Sequence, residues 1–506
     1  MSEAHYDLAV IGGGINGAGI ARDASGRGLR VVLLEQNDFA GGTSSASTKL
    51  IHGGLRYLEH YEFRLVAESL REREVLLRLA PHLVTPLRFV LPHVKSLRPA
   101  WMMRMGLWLY DRLGGRGSLP ASTAVSLDGT PEGAPLRPLL RKGFVYWDAW
   151  VDDARLVIAN LRSAAGYGAT LMRSTRFVAA RREAGVWRIE ARHRDGSVRI
   201  LRARALVNAA GPWVAEAAHG IEGSQDMAAR VQLVKGSHIV VPRVHPGRYA
   251  YLLQNDDRRI VFVLPYEERY SLIGTTDVLI ETPEQGAHID AAEVRYLLAA
   301  ANRYLATHLR ERDIVWTYSG VRPLYDDGSA NPSATTRDYH LVLDAGEDVP
   351  LLSIYGGKIT TYRKLAEAAL AQLRPWLEPA RGEWTAHEPL PGGAGASERA
   401  LSTLQKQYEG LPASLVERLY RRHGSETSAL LAGAVTVDDL GHHFGADLYE
   451  REVRHFIAHE WAEEPDDVLW RRTKAGLHLS AAERQEFEGW FVAQQGRMQR
   501  ETRCSA

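Results

Sequence analysis

Residues 6–35 read YDLAVIGGGINGAGIARDASGRGLRVVLLE, and the fold turns on how this stretch is parsed. An apolar run of strand length, 7–11, leads into Gly12, Gly14 and Gly17 at the spacing G-x-G-x-x-G. A helix is expected next, then a second apolar strand over 29–34 that ends at Glu35. Strand, glycine turn, helix and strand make a βαβ unit with a dinucleotide fingerprint. Gly12 makes the tight turn, Gly14 lets the backbone approach a pyrophosphate, and Gly17 lets helix and sheet pack closely. The helix N-terminus offers unpaired N–H groups and a positive dipole end to the phosphates. Glu35 stands about 20 residues beyond the glycines, where a carboxylate accepts ribose hydroxyls and repels a 2′-phosphate, which argues against NADP. The fingerprint alone does not separate FAD from NAD.

Composition narrows the classes. The 506 residues carry 62 Lys+Arg against 61 Asp+Glu, a formal charge of +1. That length suggests two or three domains, and the balanced charge gives no global pull toward nucleic acid. The single cysteine, Cys504, allows no disulfide, CxxC pair or thiolate metal site within the chain, which fits a reducing compartment. No basic and apolar leader precedes the first strand, so no signal peptide is expected. No uninterrupted apolar run approaches 18 residues, so no transmembrane helix is expected.

Directly after the fingerprint, 41–63 reads GGTSSASTKLIHGGLRYLEHYEF. The hydroxyls of Thr43, Ser44, Ser45, Ser47 and Thr48 cluster beside Lys49, His52, Gly53, Gly54 and Arg56, a composition suited to close contact with phosphates and a flat ring. A surface helix is expected over 63–79, and a strand over 87–91. Then comes RPAWMMRMGLWLYDRLGG, 98–115, with arginines among Trp, Met and Leu. Two readings stay open: a helix lying on a membrane surface, or one packed into a core or dimer contact. Residues 114–141 read as loop.

A strand, turn and helix start are expected over 143–156, with Asp152 or Asp153 as cap and the helix ending near Gly166. Residues 177–204 alternate apolar and polar, with Asp195-Gly196 as a hairpin turn, and a buried strand over 205–213 returns to the first sheet. From about 231 to 321 a second, mostly antiparallel domain with one helix is expected. LLSIYGGKITTYRKLAEAAL, 351–370, repeats strand, Gly-Gly turn and helix, with Thr360 or Thr361 as cap. PGGAGAS, 391–397, marks a linker to a charged, Trp-rich helical domain. Its adjacent His442 and His443 point apart on a helix and lack an acid or Cys cluster, so no metal is expected.

Removing a hydride from an alcohol carbon requires a flavin or nicotinamide acceptor and a base for the hydroxyl proton. A phosphorylated substrate also requires fixed cations, and arginine's fork matches phosphate oxygens. Isolated cations stand in short Gly- or Pro-marked motifs: Arg56 in HGGLRY, His238 in KGSH, Arg322 in SGVRP, Arg337 in TRDY and Lys358 in GGK. His238 is the favoured base, since an ordinary pKa near 6.5 suits proton acceptance at neutral pH. Arg322 competes only in an extreme environment, because guanidinium stays protonated. Arg322, Arg337 and Arg56 form the phosphate-binding set, and Lys358 touches flavin or substrate. The helix after Gly356, Gly357 and Lys358 is placed to stabilise negative charge on a reduced ring. No G-x-S-x-G elbow supports a hydrolase.

The motifs GGGINGAGIARDA, TSSASTKLIHGGLRYLEHYEFR, WVDDARL, VKGSHIVVPR, IGTTD, WTYSGVRPL, TRDY, GGKITTYRKLAE, LPGGA and LWRRTK span nearly the whole chain. Together they closely resemble the aerobic, respiratory FAD-dependent glycerol-3-phosphate dehydrogenases of the bacterial type. That resemblance implies an α/β fold: a Rossmann-like FAD-binding domain of the D-amino-acid-oxidase type, a mostly antiparallel β substrate domain, and a C-terminal helical domain. The implied boundaries are 1–90, 143–225 and 335–388 for the FAD-binding domain, 91–142 and 226–334 for the substrate or cap domain, and 389–506 for the helical domain. It implies oxidation of sn-glycerol 3-phosphate to dihydroxyacetone phosphate by hydride transfer to FAD, with electrons passed to ubiquinone or menaquinone. It also implies a homodimer attached peripherally to the cytoplasmic face of the inner membrane, with no nucleic acid partner.

Carried over residue by residue, the resemblance implies FAD contacts at Gly12, Gly14, Asn16, Gly17, Glu35, Thr43, Ser44, Ser47, Lys49, Gly53, Gly54, Gly357, Lys358 and Thr360. The substrate residues are Arg56, Tyr57, Arg322 and Arg337, and the catalytic set is His238, Arg322 and Lys358. Gly41-Gly42 departs from the pattern and is expected to alter loop stiffness only. The competing classes are an amine or amino-acid oxidase of the same fold, releasing peroxide, and a non-catalytic FAD-binding protein.

Overall fold

The structure is a computed structural model that describes residues 4–94, 97–115, 117–224, 231–257, 259–325, 338–345 and 349–504. Two sheets organise it. The first runs His340–Asp344, Leu351–Tyr355, Val198–Asn208, Ala4–Ile11, Val31–Leu34, Thr170–Met172. Its central strands are parallel, with Ile11 beside Leu34 and Asn208, so the sheet's carboxyl edge gathers the Gly12 turn, Glu35 and Ala209. Buried on both faces, these strands are continuous apolar runs such as Leu8–Ile11 and Val31–Leu34, as parallel sheets require. The helices Ile15–Gly26, Asp153–Gly166 and Tyr362–Leu373 pack together over it around Ile20, Val157, Leu161 and Leu365.

The second sheet has ten strands and is nearly all antiparallel. Its order is Val278–Ile280, Val231–Pro242, Tyr270–Gly274, Ile260–Tyr266, Tyr249–Gln254, Val84–Pro92, Lys142–Val151, Leu50–Ile51. Trp316–Tyr325 pairs along nearly all of Val231–Pro242, and the helix Ala291–Asn302 covers one face. This long pairing sets His238 opposite Tyr318 and Val234 opposite Arg322.

Several local expectations change. The strands Val84–Pro92 and Lys142–Val151 fall mostly on the FAD-binding side of the expected boundaries. They pair with each other and, through Tyr249–Gln254, join the second sheet. The stretch 114–141 holds a short strand, Thr123–Ser126, paired with Lys142–Val151. The segment 177–204 contains a turn at Ala184 and Gly185, both at positive φ, besides the one at Asp195-Gly196. Asp152 caps its helix by accepting from Arg155 N at 3.2 Å, whereas Thr361 makes no side-chain cap and a short 3₁₀ turn, Ile359–Thr361, leads into the last helix of the first sheet.

The C-terminal helices form their own cores around Leu415, Leu419, Phe456 and Phe487. Buried charges join them to the first sheet. Arg472 donates to both oxygens of Asp38 at 2.5 and 2.8 Å, and Arg173 donates to Asp467 at 2.6 Å. His423, His455 and Glu460 each offer one potential ligand atom, and the three atoms lie within 4.8 Å of one another. Both Glu460 oxygens, however, are held by the Arg155 guanidinium, and His423 Nε2 faces Glu452 Oε1 at 3.0 Å. We read this group as part of the seam, since a buried carboxylate already paired with arginine is a poor metal ligand. His442 faces Glu486 and His443 stacks on Tyr449.

Candidate active site

The fingerprint turn is built by contacts that only glycine permits. Gly12 adopts φ +107°, and a Cβ there would lie 2.4 Å from Ala209 O; a Cβ on Gly17 would lie 2.0 Å from Gly12 O. Ile15 N donates to Ser44 Oγ at 2.9 Å, which ties the helix start to the hydroxyl-rich loop. Glu35 accepts from Gly13 N and Asn37 N, each at 2.8 Å. Burial pushes the Glu35 carboxyl upward, and these two backbone N–H groups oppose the shift. Asn16 Nδ2 donates to Gly356 O at 3.2 Å, while its buried Oδ1 has no hydrogen-bond partner among the described residues.

The loop over 43–49 is pinned from two sides. Thr43 Oγ1 donates to Val321 O at 2.5 Å. Ser47 donates through N and Oγ to Asp153 Oδ2 at 3.1 and 2.7 Å. Lys49, 1% exposed, spends its ammonium on Asp153 Oδ1 at 2.8 Å and Ser45 O at 3.1 Å. Ser47 and Lys49 thus shape the loop through the first residue of the Asp153–Gly166 helix. Gly53 N donates to Tyr110 Oη at 2.8 Å, and the Tyr57 ring covers Gly54, where a Cβ would approach within 2.2 Å. Thr360 Oγ1 accepts from His52 N at 3.3 Å, and Gly357 takes φ +93° beside Asn16.

The second sheet supplies the other wall. His238 is fully buried; its ring stacks on Tyr318 at 4.7 Å, and its Nε2 lies 3.0 Å from Thr48 Oγ1. A Cβ on Gly274 would lie 2.0 Å from His238 Cδ2, so glycine is needed beneath the ring. Burial, with Arg322 and Lys49 adding positive charge nearby, holds His238 well below the ordinary histidine pKa. The ring is therefore neutral at pH 7. Arg322 donates to Asp277 Oδ1 at 2.6 Å and lies 3.5 Å from Thr275 Oγ1. Gly356 N donates to the carbonyl of Pro323, next to Arg322, at 2.7 Å. The Lys358 ammonium sits 3.8 Å from the Tyr57 ring centroid, a cation–π contact.

These contacts bring the fingerprint, the 43–54 loop, the 356–360 turn and the strands of His238 and Arg322 to one place. Arg56 is half-buried and adjoins Tyr57 in that loop. Arg337 lies outside the described residues. Asp153, Tyr318 and Asp277 were not singled out as site residues from the sequence. Asp153 read there as a possible helix cap, and Asp277 and Tyr318 only as members of the motifs IGTTD and WTYSGVRPL. Their partners, Lys49, His238 and Arg322, lie 104, 80 and 45 positions away.

The site fits an FAD. It offers a glycine turn for a pyrophosphate, a carboxylate two hydrogen bonds deep at the ribose position, and the unpartnered Asn16 Oδ1. The family described as FAD dependent oxidoreductase matches residues 7–363, and the one described as the C-terminal domain of alpha-glycerophosphate oxidase matches 384–488. The chain is thus an FAD-dependent oxidoreductase of the fold class expected from the sequence.

Full-length relatives narrow the class. The chain is 52% identical over 489 residues to the D-erythritol 1-phosphate dehydrogenase of Brucella abortus, covering 96% of this chain and 97% of that one. It is 50% identical over 492 residues to the aerobic glycerol-3-phosphate dehydrogenase of Escherichia coli, with the same two coverages. Among solved structures it resembles the FAD complex of the Bacillus halodurans glycerol-3-phosphate dehydrogenase, with a TM-score of 0.73, 28% identity, and coverage of 98% and 95% of the two chains. The chain belongs to the FAD-dependent glycerol-3-phosphate dehydrogenase family, and FAD is its cofactor.

Proposed function

We propose that the chain oxidises sn-glycerol 3-phosphate to dihydroxyacetone phosphate and passes the electrons to a membrane quinone, ubiquinone or menaquinone. The observation that carries this reading is the placing of a buried neutral histidine, His238, next to an arginine, Arg322, at the wall that faces the fingerprint loops. Bound FAD supplies the hydride acceptor. The protein's own residues do the rest. Arg322, with Arg56 and Arg337, holds the phosphate, where a guanidinium fork outperforms a point charge. His238 takes the hydroxyl proton, a role that demands a neutral ring. Lys358, seated on Tyr57, adds positive charge at the turn before the Tyr362–Leu373 helix.

A four-carbon substrate, D-erythritol 1-phosphate, is the second reading. It is favoured by the relative of that name, which is no less similar than the glycerol 3-phosphate enzymes. The test is kcat/KM with an artificial acceptor for both esters and for unphosphorylated glycerol. A preference of about tenfold or more for glycerol 3-phosphate supports the first reading, and the reverse order supports the second.

Peripheral membrane attachment belongs to the same proposal. The helix Ala100–Leu113 buries Met103, Leu107 and Tyr110, and turns Trp101 (64% exposed), Met102, Met105 and Trp108 (53% exposed) outward, with Arg104 and Arg112 also exposed. Aromatic and basic residues on one exposed face suit the bilayer interface. Among the described residues no helix is long and apolar enough to cross a membrane. Co-sedimentation with anionic vesicles, lost on replacing Trp101 and Trp108 by serine, is the expected result; unchanged binding by the double variant excludes this face.

A further inference from the structure

We propose that Arg472, in the C-terminal helical domain, is a positioning residue for FAD: it holds Asp38, and through Asp38 the 35–40 loop against which the fingerprint turn is set. The C-terminal domain then decides how tightly the cofactor is kept. The inference concerns FAD binding and stands apart from the reading of the substrate.

The loop that follows the strand Val31–Leu34 joins two parts of the molecule. Toward the fingerprint, Gly13 N donates to Glu35 Oε2 at 2.8 Å, and Ala40 N donates to Gly13 O at 3.1 Å. Both backbone groups of Gly13 are thus engaged by this one loop. The contact is close: a Cβ on Gly13 would lie 2.7 Å from the Phe39 ring and 2.9 Å from Glu35 Cβ. Toward the C-terminal domain, the same Phe39 ring meets Trp461 edge-on, with centroids 5.4 Å apart. Asp38, between these residues, accepts from Arg471 and Arg472. A displacement of Asp38 therefore displaces the partners of Gly13.

Arg472 is fully buried and uses both edges of its guanidinium. One edge donates to Asp38 Oδ2 and Oδ1 at 2.5 and 2.8 Å; Nε and Nη2 also donate to Glu460 O at 3.2 and 2.6 Å. Arg471 bridges Asp38 and Asp467, and so does Arg173, at 3.2 and 2.6 Å. Burial pushes the Asp38 carboxyl up, and Arg472, Arg471 and Arg173 outweigh it and hold the group below the ordinary carboxylate range. A buried charge left half paired is costly, so the carboxylate stays with its arginines.

The segment that carries Arg472 is itself fixed. Asp467–Arg472 is a π-helical turn, closed by Thr473 N on Val468 O five residues back, at 2.9 Å. Such turns are rare and occur mostly at functional sites. Neighbouring side chains of an α-helix point about 100° apart, yet Arg471 and Arg472 meet on one carboxylate. Within the turn, Trp470 stacks on Trp316 of the second sheet, with centroids 4.8 Å apart, and its carbonyl accepts from Lys474 Nζ at 2.6 Å. These residues make up the LWRRTK motif, 469–474. Pinned to the second sheet through Trp470, the turn gives Arg472 a fixed base, and the loop follows Arg472.

The test follows FAD release from diluted holoenzyme by flavin fluorescence. Arg472→Met should raise the Kd for FAD about tenfold, within the range of groups coupled through one network. Arg472→Lys, a point charge without the fork, should recover only part of that loss. Asp38→Asn should match Arg472→Met, and the double variant should be no worse than either, because both break one link. Arg162→Met, which removes the pair with Glu426 elsewhere on the same seam, should keep the wild-type Kd. Coupling is reciprocal, so stripping FAD from the wild type should speed amide hydrogen exchange at 35–40 and at 467–474 together, but not in the helix Ala413–His423. That last measurement needs no variant to fold. A wild-type Kd in Arg472→Met, an equal rise in Arg162→Met, losses that multiply in the double variant, or exchange at 467–474 indifferent to FAD each overturns the proposal.

Discussion

Arg322 and Asp277 form a hydrogen-bonded ion pair of 2.6 Å at the wall of the candidate site, with a quarter of the arginine side chain still exposed. The carboxylate fixes the guanidinium plane through one edge. In the proposed phosphate-binding role, such a pre-oriented guanidinium lowers the side-chain ordering cost of binding.

Replacing Arg322 by alanine is expected to raise KM for the phosphate ester about tenfold to a hundredfold, the worth of a lost charge-assisted hydrogen bond of about 1.5–3 kcal/mol. FAD should stay bound. Asp277→Asn, which loosens the guanidinium and keeps its charge, should give a smaller rise. Steady-state kinetics of the yellow proteins decide the point, and an unchanged KM in the Arg322 variant assigns the phosphate to other cations.

The depressed pKa of His238 sets the sign of the pH dependence. With His238 as the proposed base, activity requires the neutral ring, so the rate falls as pH drops through that pKa, and the acid limb lies below the ordinary 6.5. His238→Asn should cut kcat and remove the limb. A limb unchanged in the variant means that another group accepts the proton.

Two glycines separate cofactor binding from chemistry. A Cβ at position 17 meets the backbone oxygen of Gly12 at 2.0 Å, a clash that no side-chain movement relieves, so Gly17→Ala should yield a colourless or unfolded protein. A Cβ at position 274 meets the His238 ring instead, so Gly274→Ala should remain yellow and lose kcat. Absorbance spectra of the purified variants, followed by kinetics, separate the two effects, and full activity in Gly274→Ala contradicts the packing beneath the base.

Two buried histidines at the seam make the fold acid-sensitive. Burial holds His82 at about 3 and His423 at about 4. In the unfolded chain both titrate near 6.5, so below that pH unfolding takes up protons and stability falls until each folded pKa is reached. Each histidine contributes about 1.4 kcal/mol per pH unit in that window. Urea unfolding midpoints between pH 6.5 and 5 should decline, and His82→Gln should shallow the slope. An equal slope in that variant removes His82 from the account.

Much of this architecture was legible because local chemistry carried it. The G-x-G-x-x-G turn, Glu35 and the flanking apolar runs needed no partner beyond 30 residues, and the Gly-Gly turn at 356–357 announced itself in the same way. What stayed hidden depends on distant pairing. Nothing in the composition of the strands Val84–Pro92 and Lys142–Val151 names a partner, and it is the pairing with Tyr249–Gln254 that takes them into the second sheet. Lys49 was one of the expected FAD contacts, but its buried ion pair with Asp153 could not be read locally, and Thr48 was one hydroxyl among several until His238 came to rest beside it.

The most direct measurement is anaerobic bleaching of the flavin absorbance. The purified yellow protein is mixed with glycerol 3-phosphate, D-erythritol 1-phosphate, glycerol and an amino-acid mixture in separate cuvettes. Bleaching by glycerol 3-phosphate, and none by glycerol or amino acids, is the predicted result. A yellow protein that glycerol 3-phosphate leaves oxidised, or one bleached by the amino acids instead, contradicts the central claim.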